Sequence, residues 1–322
     1  MKNTILQGDS LEVLKTLEGE SVDCVVTSPP YWNLRDYGVV GQLGLEPTFQ
    51  EYIQKLCDIF DGVRRVLKSS GTCFVNLGDT YGTGSGKDEN RVHAKQGSLK
   101  GWIGGRDGVR GYEKSLLMIP ERFAIAMSER GWKVRNKIIW HKKNAMPSSV
   151  VDRLSNKYEL VYFFSKSNKY VFDLDSIRIP YETDEKRPDG VVRARGYGYN
   201  TKQGTKQREM EESSRRFGHR RPPKATTEYQ RNPKGKNPGD VWTLTLQTHP
   251  EKHIAMFPEK LIRPMILAGC PDGGVVLDPF SGAGTTALVA RKTGRNFIGI
   301  ELNKEYIKMS EKRLAPFMAT LI

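Results

Sequence analysis

Short apolar segments alternate along the chain with segments of helical periodicity, and this alternation predicts an α/β fold. Residues 22–26 and 274–277 are apolar and rich in β-branched side chains, which is typical of strands buried in a parallel sheet. From residue 49 to 67 apolar positions recur at helical spacing, which predicts a helix that Gly71 ends. Strands are predicted at 4–8, 22–26, 72–77, 132–140, 159–164, 274–278 and 297–300, and further helices at 11–17, 116–129 and 261–267.

Two stretches interrupt this pattern. Residues 82–115 are rich in glycine and basic side chains, and residues 181–240 carry fifteen Lys or Arg against nine Asp or Glu with almost no aliphatic positions. Such compositions do not build a core. We therefore expect one domain made of residues 1–180 and 241–322, with residues 181–240 inserted into it. The 82–115 stretch is either a plain surface loop or a basic loop that closes over phosphates.

The strand at 22–26 is followed by Thr27-Ser28-Pro29-Pro30-Tyr31-Trp32. Neither proline can donate to a sheet, so the chain leaves the strand as a stiff turn at its carboxyl end. Open α/β sheets bind ligands at that edge. Backbone carbonyls, a hydroxyl and an aromatic ring together suit a planar heterocycle held by an exocyclic amine. Two prolines alone would indicate only a rigid strand terminator, so this interpretation needs a second motif.

The second motif follows the strand at 274–278. Glycines 282 and 284 permit a tight turn and close approach of a ligand to a helix N-terminus, and Glu301 closes the next strand, as ribose-binding acids do. The glycine spacing alone would also fit a dinucleotide dehydrogenase. Asp278 at the mouth of the loop argues against a pyrophosphate and suits a ligand that carries an ammonium or sulfonium group.

Together these motifs resemble the DNA amino-methyltransferases that use S-adenosyl-L-methionine, and their order resembles that of the permuted β group. The resemblance covers roughly the first 180 and the last 80 residues. It implies a Rossmann-like methyltransferase fold with a mostly parallel sheet and a circularly permuted motif order. It also assigns residues 1–180 to catalysis, 181–240 to target recognition and 241–322 to cofactor binding. Chain ends should then lie close together.

Roles follow from the resemblance. Ser28, Pro29, Pro30 and Tyr31 form the catalytic turn: Ser28 and the Pro29 carbonyl accept from the amine of a flipped base, and Tyr31 stacks on its ring. Asp9, which also looks like a helix N-cap, binds the adenine amine of the cofactor. Asp278 receives its ammonium and Glu301 its ribose hydroxyls. The cofactor-binding residues are Asp9, Asp278, Pro279, Phe280, Gly282, Gly284, Thr285 and Glu301. No metal is implied.

The family usually has a serine before Pro-Pro in cytosine N4 enzymes and an aspartate in adenine N6 enzymes. Ser28 therefore favours transfer to cytosine N4. Adenine N6 methylation by the same residues stays open, as does a non-catalytic DNA-binding protein that keeps a relic cofactor pocket.

Net charge of +14 and a pI near 9.5 point to a polyanionic partner, here double-stranded DNA. Within 181–240, the pairs Arg215-Arg216 and Arg220-Arg221 stand among aromatic residues and are predicted to contact DNA. The four scattered cysteines and the lack of a long apolar segment predict a cytoplasmic protein without a membrane span. The chain would act as a monomer or homodimer, and a cognate restriction endonuclease could accompany it.

Overall fold

The computed structural model describes residues 2–82, 111–145, 148–181, 191–192, 229–230, 232–245 and 258–318. In the first half, strands and helices follow in the order β1 Thr4–Gln7, α1 Ser10–Thr16, β2 Val22–Thr27, α2 Phe49–Val66, β3 Leu67–Leu77, α3 Ile119–Glu129, β4 Lys133–Lys142 and β5 Tyr158–Ser165. A 3-10 helix covers Asp175–Ile177. The remaining elements are β6 Val191–Val192, β7 Tyr229–Gln230, β8 Val241–Leu244, α4 Glu259–Gly269, β9 Val275–Asp278, α5 Thr285–Lys292, β10 Asn296–Glu301 and α6 Lys304–Met318.

Eight strands form one sheet in the order β1-β10-β9-β2-β3-β5-β4-β8. The five strands from β1 to β3 are parallel, β5 is antiparallel to both of its neighbours, and β4 runs parallel to β8. The predicted α/β fold with a mostly parallel sheet is therefore confirmed. The N-terminal strand β1 pairs with the late strand β10, as the permuted motif order implied.

Helices cover both faces of this sheet, which explains why its central strands are apolar without alternation. Val25 and Leu277 face the core under α1, α2 and α3, whereas Val26 and Val276 face the core under α4, α5 and α6. A strand buried on both faces gains from apolar residues at every position. All four cysteines are free thiols inside these cores.

Two predicted helix boundaries were wrong. Helix α2 ends at Val66 instead of Gly71, because Leu67 adopts an extended conformation and β3 starts there. Helix α3 starts at Ile119 rather than at residue 116. Its first amides are capped from a distance: the carboxylate of Asp79 accepts from Met118 N and Ile119 N, both at 3.1 Å. A cap supplied by another part of the chain leaves no local signal in the sequence.

The described chain divides into two compact units, Met1–Ile177 with Pro238–Ile322, and Arg178–Asn237. In the second unit β6 pairs antiparallel with β7, and Ile179 forms an isolated bridge with Lys236. Arg215, Arg216, Arg220 and Arg221 lie outside the described residues, so their contact with DNA stays a prediction, as does the recognition role of 181–240. Over the described ranges, the chain contains no helix long and apolar enough to cross a membrane.

Candidate active site

The Ser28-Pro29-Pro30-Tyr31 turn leaves the sheet at the end of β2, as predicted. The hydroxyl of Tyr52 on α2 donates to the Pro30 carbonyl at 2.8 Å and holds the turn from below. Beside it, the indole of Trp32 donates to the Glu46 carbonyl at 3.0 Å. These bonds tie a short turn to the buried helix α2 and to the loop before it, so its carbonyls have a defined direction.

A buried polar network surrounds the Tyr31 phenol. Its hydroxyl lies 2.8 Å from Glu159 Oε2 and 3.1 Å from Asn76 Oδ1. The Ser28 hydroxyl is 3.4 Å from the same Asn76 oxygen and 3.5 Å from the phenol oxygen. Lys142 forms an ion pair with the other carboxylate oxygen of Glu159. Burial and the Glu159 charge raise the pKa of Tyr31 well above its ordinary value, so the phenol keeps its proton.

The glycine loop lies between β9 and α5. Gly282 and Gly284 have φ of 51° and 75°, the left-handed conformation that favours glycine. Gly282 N and Asn303 N donate to the two carboxylate oxygens of Glu301, each at 2.7 Å. Burial raises the Glu301 pKa, and these backbone donors oppose that effect. Glu301 thus stands at the carboxyl end of β10, directly beside the loop.

Asp278, the last residue of β9, is buried under the loop. Its Oδ1 accepts from the Thr27 hydroxyl at 2.6 Å and from Phe280 N at 3.0 Å. Burial raises its pKa to about 6, although the hydrogen bonds from Thr27, Thr286 and Phe280 act in the opposite direction. This carboxyl group is therefore close to half protonation in mildly acidic solution.

A cavity of about 370 Å³ opens at this edge of the sheet. Seven of the predicted site residues line it: Asp9, Ser28, Pro30, Pro279, Phe280, Gly282 and Glu301. Pro29, Tyr31, Asp278, Gly284 and Thr285 surround that set without lining the cavity. Asp9 is the N-cap of α1, with its carboxylate accepting from Leu11 N and Glu12 N. The neighbouring Ser10 hydroxyl donates to the Pro279 carbonyl at 2.5 Å, which joins α1 to the glycine loop.

Several residues of the site were missed from the sequence. Glu46, Tyr37 and Tyr306 line the cavity, and Asn76, Lys142 and Glu159 surround the catalytic turn. One signal for the second group existed. Glu159 is the lone acid at the head of an apolar strand, and the basic His141-Lys142-Lys143 closes the strand before it. Antiparallel pairing of those strands brings the two ends together.

Comparison with known proteins agrees with this site. The family model of the N6/N4 DNA methylases matches residues 22–312. The chain belongs to the N6/N4 DNA methylase family. Among curated relatives, the methylase is 35% identical to the Type II methyltransferase M.SmaI of Serratia marcescens over 311 residues, 96% of this chain and 90% of the relative. It is 36% identical to M.Cfr9I of Citrobacter freundii, covering 97% of this chain and 87% of the relative.

Solved structures share the fold of the methylase. PvuII DNA methyltransferase, described as cytosine-N4-specific, matches with a TM-score of 0.62 at 19% identity, over 97% of this chain and 86% of that one. TTHA0409, a DNA modification methylase from Thermus thermophilus in complex with S-adenosyl-L-methionine, matches with a TM-score of 0.54 at 22% identity, over 98% and 96% of the two chains. The predicted methyltransferase fold and the family are therefore confirmed.

Proposed function

We propose that the methylase transfers a methyl group from S-adenosyl-L-methionine to the exocyclic N4 of cytosine in a base flipped out of DNA. The observation that carries this proposal is the position of Ser28. Its hydroxyl stands at the carboxyl end of β2, lines the cavity and joins the Tyr31 network, where an adenine N6 enzyme of the family usually has an acid. The cytosine N4 description of the PvuII enzyme, a protein of the same fold, is consistent with this choice.

The cavity suits the cofactor in size and chemistry. Its volume of about 370 Å³ lies in the usual range for small-molecule sites, roughly 300–1,000 Å³. Glu301 would accept from the ribose hydroxyls, Asp9 from the adenine amine, and Asp278 would face the ammonium group. The loop residues Pro279, Phe280, Gly282, Gly284 and Thr285 shape the wall. When bound, S-adenosyl-L-methionine supplies an electrophilic methyl group.

The chain itself prepares the amine. The lone pair of an aromatic amine is delocalised into its ring, so the nitrogen is a poor nucleophile. Acceptance of its two N–H groups by the Ser28 side chain and the Pro29 carbonyl would favour a tetrahedral nitrogen with an available lone pair. Tyr31 would hold the ring by stacking. Positioning and electrostatics then provide most of the catalysis.

Mass spectrometry of digested DNA tests the base. DNA from cells that express the methylase should contain N4-methylcytosine, and DNA from cells that express Ser28→Ala should contain much less. Appearance of N6-methyladenine instead would contradict the cytosine assignment and support the alternative, adenine N6 methylation by the same residues. Sequencing of the modified DNA would add the recognition sequence.

The remaining alternative is a DNA-binding protein with a relic cofactor pocket. Calorimetry separates it from the enzyme, since a relic pocket would show no binding of S-adenosyl-L-methionine. Double-stranded DNA as the substrate form, action as a monomer or homodimer, a companion restriction endonuclease and a cytoplasmic location belong to the same proposal. Size-exclusion chromatography with light scattering would measure the oligomeric state.

A further inference from the structure

Glu159 and Lys142 lie behind the catalytic turn and have no role in the mechanism above. Their side chains are mostly buried, with 17% and 20% exposed, and they form an ion pair. Glu159 Oε2 also faces two donors, the Tyr31 hydroxyl at 2.8 Å and Asn76 Nδ2 at 3.3 Å. Since a carboxylate only accepts and an ammonium group only donates, this pair imposes a direction on every hydrogen bond that meets it.

The direction can be followed outward to Ser28. Asn76 Nδ2 donates to the Leu160 carbonyl at 3.1 Å, so the Asn76 oxygen must face Ser28 and Tyr31. The single phenol hydrogen of Tyr31 goes to Glu159, the closer and charged acceptor. The phenol oxygen and Asn76 Oδ1 can then only accept from Ser28. With its hydrogen turned inward, the Ser28 oxygen presents lone pairs to the cavity.

We propose that Glu159 is a positioning residue that sets this direction and thereby makes Ser28 an acceptor for the target amine. The inference rests on the proposed function, because it concerns how Ser28 meets an exocyclic N–H. Glu159 acts through Tyr31 and Asn76 and does not touch the substrate. Lys142 supports it by occupying the other carboxylate oxygen.

Glu159→Gln tests the proposal without changing the size of the side chain. In the variant the amide oxygen should turn toward Lys142, which can only donate, and the amide nitrogen should then face Tyr31. The phenol hydrogen would be displaced toward Asn76 or Ser28, and Ser28 would lose its preference for accepting. We expect the single-turnover methylation rate to fall by about ten- to a hundred-fold, the effect of one hydrogen bond to a charged group. Calorimetric affinity for S-adenosyl-L-methionine should stay within about twofold.

Tyr31→Phe supplies a second route to the same test, because it keeps the ring and removes only the phenol oxygen. Its single-turnover rate should fall by a similar factor. The double variant Glu159→Gln/Tyr31→Phe should be little slower than Tyr31→Phe alone, since Glu159 acts mainly through that oxygen. Glu121→Gln is the matched control: it removes an ion pair with Lys137 on the same strand β4, away from Ser28, and should keep the parent rate.

Two outcomes would overturn the proposal. One is a parent-like rate in Tyr31→Phe, whether or not Glu159→Gln folds. The other is full additivity of the two substitutions, which would make Glu159 a structural support of β4 and β5. Neither outcome concerns the proposed function, which is decided by the modified nucleoside that the parent enzyme makes.

Discussion

The Thr27 hydroxyl donates to the Asp278 carboxylate at 2.6 Å, although 251 positions separate the two residues in the chain. Thr27 is the last residue of β2 and Asp278 the last of β9, and these two strands are neighbours in the parallel sheet. The bond therefore links the start of the catalytic turn to the start of the glycine loop. A displacement of one loop is transmitted directly to the other.

Asp278→Asn should weaken the binding of S-adenosyl-L-methionine. It removes the negative charge proposed for the cofactor ammonium, while the amide oxygen can still accept from Thr27 and Phe280 N. A hydrogen bond to a charged group is worth ~1.5–3 kcal/mol, so calorimetry at neutral pH should show affinity about ten- to a hundred-fold lower. Thr27→Val is the control, since it removes the buried hydrogen bond but keeps the charge. Unchanged affinity in a folded Asp278→Asn variant would limit Asp278 to a structural role.

Cofactor binding should also depend on pH in a predictable direction. The Asp278 pKa of about 6 in the free protein means that this carboxyl is largely protonated at pH 5 and ionised at pH 7. A cationic ligand binds the ionised form, so affinity should rise as pH increases from 5 to 7 and level off above that range. Titration calorimetry at several pH values measures the slope. In Asp278→Asn the slope should be reduced, and an equal slope in both proteins would assign it to another group such as Glu301.

Ser28→Ala and Tyr31→Ala should affect different stages of the reaction. Loss of the Tyr31 ring removes a stacking surface worth ~1–3 kcal/mol per base, so capture of the flipped base should weaken. Loss of the Ser28 hydroxyl leaves the ring in place and should slow the single-turnover rate more than it weakens DNA binding. Fluorescence of 2-aminopurine at the target position reports extrusion separately from methylation. Parent rates in both variants would reduce the Pro-Pro turn to a strand terminator.

Gly78→Ala should impair methylation by displacing Tyr31. A Cβ atom at this position would lie 2.4 Å from Cε2 of the Tyr31 ring, well inside van der Waals contact. Because Glu159 and Asn76 hold the phenol, the ring cannot move without breaking that network. Gly19→Ala is the control, since its Cβ would meet only Arg65 atoms at 3.7 Å or more. We expect a clear loss of rate for the first variant and none for the second in single-turnover assays.

Replacement of Arg215, Arg216, Arg220 and Arg221 by Ala should weaken DNA binding and reduce its dependence on salt. Each lost phosphate contact should lower the slope of log K against log salt by about 0.9. Binding curves at several salt concentrations give that slope directly. Weaker binding with the slope unchanged would mean that these arginines contact bases or support the local fold, and are not phosphate contacts.

Sequence alone determined the framework of this protein. Unbroken apolar runs such as Val22–Val26 can only be satisfied between two helical layers, and prolines 29 and 30 must end β2 where ligands bind. The glycines at 282 and 284 required a left-handed turn, which the structure contains. These features were predictable because each depends on the conformational limits or the solvation of residues close together in the chain.

Only the tertiary structure decided which side chains meet. Asn76 and Glu159 reach the catalytic turn because β3 and β5 are neighbours in the sheet, and the sequence around them carries no trace of that pairing. Asp79 caps α3 from 40 positions away for the same reason. Asp278 shows the limit most clearly: its motif predicted an acid at the loop, but its burial and its bond to Thr27, which set its pKa, arise only when β9 packs beside β2.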